Sequence, residues 1–293
     1  MIRIGWFGIG SGILADPDGV AEVAQTAERL GYESVWLGEH PVLVDPQVPP
    51  SPLPPDSSML DPVPVLAYAA ATTSRILLGT GIVILPLRNP LVLAKELASV
   101  DVLARGRLVV GIGVGYVPGE YEAIGVPFET RGRRADEWID ALRTVWRDDR
   151  PELRGEFTSF GGIQSRPRPH RPGGPPILGS GRSTAARRRC VVRCDGYYGF
   201  SLDLDATAAA VGELDRLAAE VGRPSGLGRL EITITPPPGP IDADTVRRYE
   251  DLGVDRLVLM QDWSGMTGGP DAGRRRRYLA EMAACAERLA IRP

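Results

Sequence analysis

The chain has 293 residues, 43% of them hydrophobic, and a formal net charge of −3. That length suits one large α/β unit as well as two smaller ones, and the mild acidity argues against general nucleic-acid binding. The N-terminal MIRIGWFGIG lacks the charged lead and apolar core of a secretory leader, and no apolar run reaches bilayer-spanning length, so a cytoplasmic protein without a membrane partner is expected.

Ile2 to Phe7 reads as a first strand ending in Gly8-Ile9-Gly10. Pro17 and Asp18 open a helix whose Val20, Val23, Ala24, Ala27 and Leu30 share a face, and Gly31 stops it. Ser34 to Leu37 is a second strand followed directly by Gly38-Glu39-His40. A proline-crowded loop from Pro41 to Pro64 comes next, long enough to carry function, and Ala67 to Thr73 supplies a short helix. Ile76 to Leu85 and Arg107 to Val114 are branched, uncharged runs typical of buried parallel strands. Between them Pro90 starts a helix with Leu91, Ala94, Leu97, Ala98 and Val102 near helical spacing.

Arg131 to Arg147 is a strong helix with Trp138 and Trp146 as core anchors. Asp148 to Pro176 is a second long excursion, with a small hairpin around Phe157. Pro176 to Leu178 is a brief strand running into Gly179-Ser180-Gly181, and a helix follows from Ser183 to Arg193. Asp195–Phe200, Leu230–Thr235 and Val254–Met260 are further strands. Helices over Ala206–Val221, Asp242–Leu252 and Arg274–Ala290 alternate with them. Strand then helix, repeated about eight times with no central boundary, is the pattern of a single (β/α)8 TIM barrel over residues 1–293, with long loops after strands two and four. A doubly wound open sheet is the alternative.

In such a barrel the active groups come from the carboxyl ends of the strands. His40 stands there beside Glu39, one of only two histidines, and can donate a hydrogen bond or a proton at neutral pH. The other reading is a histidine satisfying a loop carbonyl. Thr80-Gly81-Ile82 and Gly113-Val114-Gly115-Tyr116 lie at neighbouring strand ends, with Ile84 just beyond the first. With little side-chain bulk there, a flat ring can approach the backbone. The glycines are not a dinucleotide fingerprint, because the third glycine and the acidic ribose binder are missing.

Gly179-Ser180-Gly181-Arg182-Ser183-Thr184 opens a helix and suits an anion, although an ordinary Ser/Thr cap explains the same residues. The run Arg274 to Arg277 reads as a solvated face. Cys190 and Cys194 stand four apart and Cys285 alone. With two histidines and no acid cluster to complete a site, structural thiols are expected and no metal.

The stretches GYESVWLGEH and LDPVPVLAYAAATTSRILLGTGIVILPLRNPLVLAKELASVDVLARGRLVVGIGVGYVPGEYEAIGVPFETRGRRADEWIDALR resemble the bacterial luciferase-like oxidoreductases. The likeness continues more thinly through PRPHRPGGPPILGSGRS and CDGYYGF. It implies FMN or the deazaflavin coenzyme F420 at the carboxyl ends of the strands, a small-molecule substrate and a homodimer. For the F420-dependent branch it implies a non-prolyl cis peptide at Gly81-Ile82, His40 as the catalytic histidine with Glu39 before it, and the phosphate side at Gly179, Ser180, Gly181 and Arg182. Arginine-rich coding with Lys95 as the sole lysine fits an actinobacterial source in which F420 is abundant. The glutamate that follows the strand-four glycines in the sugar-phosphate dehydrogenases is here Tyr116, which argues against a sugar phosphate. Glu120-Tyr121 matches the family's next acidic-aromatic pair, as a loop anchor. Hydride transfer with F420 is therefore expected. An FMN monooxygenase and a non-catalytic flavin-binding protein are the alternatives. An isomerase or aldolase would want a catalytic lysine or a carboxylate pair, and the sole lysine falls on a predicted helix.

Overall fold

A computed structural model describes residues 2–262 and 267–292. Eight strands lie parallel and close on themselves: β1 (Arg3–Phe7), β2 (Ser34–Leu37), β3 (Leu77–Thr80), β4 (Leu108–Gly113), β5 (Ile177–Ser180), β6 (Gly196–Phe200), β7 (Glu231–Thr235) and β8 (Arg256–Leu259). Each pairs with its sequence neighbours. The ring shuts between β8 and β1, where Arg3 to Trp6 align with Arg256 to Leu259, and between β3 and β4, where Leu78 faces Leu108. The alternation of strand and helix thus gives the barrel, not the open sheet.

Helices α1 (Pro17–Leu30), α3 (Pro90–Leu103), α5 (Arg131–Arg147), α6 (Thr184–Arg193), α7 (Leu204–Val221), α8 (Ala243–Asp251) and α9 (Ala272–Arg288) run between the strands or close the chain. The first shows how local chemistry sets the ends. The Asp16 carboxylate accepts from the Gly19 N–H, Pro17 fills the first position, and Gly31 closes the helix at φ +88°.

Helix α2 spans Pro62–Thr72, five residues earlier than the sequence pattern predicts. Asp61 caps it and Pro62 occupies the first position, where a missing N–H is harmless, so prolines that read as loop belong to the helix. The predicted third strand is broken as well. After Thr80 it leaves the ladder through a cis Gly81-Ile82 peptide and rejoins only at Val83–Ile84, paired with Ile112 and Gly113. A short helix not expected from the sequence, α4 (Pro118–Ile124), follows β4. The hairpin in the second excursion is present, with Leu153–Arg154 against Ser159–Phe160. Among the described residues no helix is long and apolar enough to cross a membrane.

Two cores result. The larger lies between strands and helices and includes Trp138 and Trp146, whose indole N–H groups donate to the carbonyls of Arg88 and Ala94. The smaller fills the barrel with Phe7, Trp36, Val109, Leu178, Tyr198, Val258 and Met260. Trp36 lies flat on Tyr198, ring centres 5.5 Å apart and planes 1° from parallel. Below Trp36 sits Arg256, 2% exposed. Its fork holds Glu33 at 2.8 and 2.9 Å, and Nη1 reaches Glu231 and Thr233. The barrel floor is therefore polar and paired, and the opening lies at the other end.

Arg275 corrects the reading of Arg274–Arg277 as a solvated face. It is buried against Asp16, at 2.8 Å, and Glu22, at 3.1 Å, and so pins α9 to the start of α1.

Candidate active site

A cavity of about 640 Å³ opens at the carboxyl ends of the strands, and its wall is mostly apolar. Twelve of the fourteen residues singled out from the sequence line it: Glu39, His40, Gly81, Ile82, Ile84, Gly113, Val114, Gly115, Tyr116, Ser180, Gly181 and Arg182. Thr80 and Gly179 do not. Thr80 is fully buried and donates its hydroxyl to the Gly111 carbonyl at 2.7 Å, tying β3 to β4. A Cβ on Gly179 would meet the sulfurs of Cys190 and Cys194 at 2.6 and 2.9 Å, so that position faces helix α6. Successive residues of a strand point to opposite faces, and grouping Thr80 with Gly81 and Gly179 with Ser180 had joined the two.

One wall is the broken end of β3. A Cβ on Gly113 would come within 2.8 Å of the Ile82 side chain, and one on Gly115 within 2.8 Å of Ile84. These glycines of the β4 end let Ile82 and Ile84 lie against its backbone and leave a flat apolar surface. From behind, Gly81 rests on the fully buried Tyr198, whose phenol bonds Thr235 at 2.7 Å. Burial raises that phenol's pKa, so it stays neutral. A Cβ at Gly81 would stand 2.7 Å from the phenol oxygen and 3.0 Å from Phe7. Tyr198 has no room to retreat, since it is stacked on Trp36, and Phe7 packs on Phe200 with ring centres 5.3 Å apart. Gly81→Ala is expected to lower stability by about 1–3 kcal/mol, the usual range for overpacking, as read by thermal melting. An unchanged melting temperature would mean that the wall yields.

Glu39 and His40 leave the end of β2 in different directions. The Glu39 carboxylate accepts from the Ile84 N–H at 2.6 Å and from the Arg88 guanidinium, which also holds Asp61. Burial raises the carboxyl's pKa, while the Arg88 charge and the Ile84 N–H pull it back. Both oxygens are spent, so Glu39 braces the β3 end from behind. His40 turns to α4, where its Nδ1 lies 3.0 Å from Glu120 Oε1. Glu120 is 1% exposed, and its other oxygen has no hydrogen-bond partner among the described residues. Tyr116 meets the imidazole edge-on, centres 6.0 Å apart. Tyr121, predicted as a loop anchor, donates its hydroxyl to the Val114 carbonyl.

Across the cavity, Ser183 caps α6 by accepting from the Ala186 N–H at 3.2 Å. Gly181, at φ +141°, lets the turn lie against the helix, because a Cβ there would be 2.5 Å from that of Ala186. Arg182 donates one Nη2 to the Phe200 and Ser201 carbonyls, at 3.2 and 3.1 Å, and its other N–H groups make no bond among the described residues. The ordinary cap is real, and an unspent cation stands beside it. This turn suits an anionic group.

Sequence reasoning missed the outer wall. Pro52, Leu53 and Met59 come from the 41–64 loop, and Tyr197 and Tyr198 from β6. Proline density gave no sign of which loop residues turn inward, but the GYYGF strand with its bulky aromatics was a usable signal. Among the described residues no group of three or more His, Cys, Asp or Glu is placed to hold a metal.

Residues 6–244 match a family model described as luciferase-like monooxygenase. An uncharacterized protein of Mycobacterium tuberculosis is 31% identical over 281 residues, 93% of each chain. The oxygenase component of the flavin-dependent trigonelline monooxygenase of Acinetobacter baylyi is 34% identical over 164 residues, which are 55% of this chain and 42% of that one. Among solved structures, an F420-dependent secondary alcohol dehydrogenase in complex with an F420-acetone adduct superposes with a TM-score of 0.77 at 16% identity. It covers 100% of this chain and 99% of its own, a likeness of fold.

Proposed function

The chain belongs to the luciferase-like monooxygenase family, and from that premise we propose that it is an F420-dependent oxidoreductase acting on a small, neutral, apolar substrate. The observation that carries this reading is the flat slot over Ile82 and Ile84, with an imidazole on one side and a half-free arginine on the other. The slot suits a tricyclic ring, and Arg182 with the start of α6 suits the anionic chain of the coenzyme. When bound, the deazaflavin supplies or accepts a hydride. The protein's part is to hold the ring against the β3 end, exclude water with the 41–64 loop, and move a proton at His40.

Pro52, Leu53 and Met59 cover the substrate side with apolar atoms. Among the described residues Arg182 is the only lysine or arginine lining the cavity. One cation serves one anionic group. A phosphorylated substrate in addition to the coenzyme would lack a partner, in line with Tyr116 standing in place of a glutamate.

A second reading has its own support. The 34% identity over 164 residues to the oxygenase component of a flavin-dependent monooxygenase supports a flavin such as FMN as the alternative. Titrating the purified protein separately with F420 and FMN, and following ligand fluorescence, decides between them. Saturable F420 binding and no FMN binding is the expected result. Tight FMN binding with none of F420 overturns the proposal, and binding of F420 without turnover across a panel of alcohols and ketones would leave a carrier, not an enzyme.

A further inference from the structure

Two buried acids flank the β2 end, and only one is free to act on the histidine. Glu39 spends both oxygens on Ile84 and Arg88, whereas Glu120 has one hydrogen bond, to His40 Nδ1 at 3.0 Å. No other polar group among the described residues reaches the second Glu120 oxygen. An ionised carboxylate only accepts hydrogen bonds, so opposite Glu120 in that form Nδ1 carries a proton whether the ring is neutral or cationic. His40 Nε2 bonds to no protein group among the described residues, and His40 is part of the cavity wall.

From this arrangement we infer that Glu120 is a positioning residue that fixes the His40 tautomer, so that Nε2 is the atom that exchanges a proton with a substrate bearing an alcohol or carbonyl oxygen. The inference rests on the hydride-transfer reading above and adds the residue that sets which ring nitrogen holds the proton. In the alcohol-to-carbonyl direction the substrate carbon gives its hydride to the deazaflavin, the O–H bond breaks, its proton passes to Nε2, and a C=O bond forms. In the reverse direction Nε2 returns the proton to the oxygen as the C–H bond forms. Free histidine favours the opposite tautomer, with the proton on Nε2, so Glu120 has to invert an intrinsic preference.

The chain's two histidines, His40 and His170, make a clean spectroscopic test. The full chain is labelled with ¹⁵N-histidine, and a His170→Gln variant identifies the His40 signals. At a pH high enough to neutralise the ring, ¹⁵N shifts and couplings should show His40 protonated on Nδ1 and bare on Nε2. Glu120→Gln, which removes the charge and keeps the size, should return at least half of the population to the Nε2–H form. A wild-type His40 protonated on Nε2 overturns the inference, even if the variant does not fold. So does a Glu120→Gln protein with the parent's pattern. The tautomer is read without cofactor, so failure of F420 to bind would remove the hydride-transfer reading and leave the dyad in place.

Discussion

His40→Ala is expected to slow turnover by about 10²–10⁴-fold, the range general acid–base groups supply, while F420 binding stays within about threefold of the parent. The two effects separate because the imidazole stands beside the flat slot and not beneath it. The ring surface is made by Ile82 and Ile84, which His40 does not support. Added imidazole should restore part of the lost rate, since the truncated side chain leaves a space bounded by Tyr116 and the carboxylate of Glu120. Steady-state rates with and without imidazole, together with an F420 titration, make the measurement. A variant with full turnover would remove His40 from the chemistry, and one that fails to bind F420 would recast it as a cofactor contact.

Arg256→Met should destabilise the barrel by about 3 kcal/mol, the lower end of the cost of breaking a buried ion pair, because Glu33 and Glu231 are only partly buried. At this chain length that is a fall in melting temperature on the order of 10 °C. Burial alone would lower the guanidinium's pKa, but Glu33 and Glu231 outweigh it and keep the group firmly charged. Methionine fills most of the space under Trp36, so the loss would come from Glu33 and Glu231 facing each other across the floor with only Arg3 to offset them. Burial raises the Glu231 carboxyl, but Arg256 and Arg3 more than reverse this and hold it below the usual glutamate range. A carboxyl depressed in the folded state stabilises above its unfolded pKa, and the contribution fades as pH falls through the folded value. The parent should therefore lose stability on acidification below about pH 4.5, and the variant should lose less. Thermal melts across pH read both effects, and equal slopes for the two proteins would place the stabilisation elsewhere.

Much of this fold is legible in the sequence because the determinants are local. Asp16, Pro17 and Gly31 mark the ends of α1 with no reference to anything distant. The alternation of short branched runs with amphipathic segments leaves few topologies open. What is not legible depends on partners far along the chain. Glu39 and Glu120 are both acids near a strand end, and only folding reveals that Arg88 claims the first and His40 the second. Arg275 reads as solvated until Asp16, 259 positions earlier, is brought beside it. The burial of Thr80 and Gly179 is legible in the sequence, because period-two alternation separates them from their neighbours.

The anchoring of the 41–64 loop has an evolutionary consequence. Its outgoing end is held by the dyad, and Val44 lies on Gly119. Its return is stitched to the β1 end by Gly12 N–H to Ser58 O at 2.7 Å and Leu60 N–H to Gly10 O at 3.0 Å, and Asp61 grips Arg88. A segment fixed at both ends can be rewritten between them without disturbing the slot or the imidazole. Pro52 and Leu53 lie inside that span, whereas Met59 is part of the stitched return beside Ser11, so the middle of the cavity's outer wall is the part most free to vary. Under the proposed function, substitutions confined to the middle of this loop would change which apolar substrate is accepted and leave the β3 end and His40 in place.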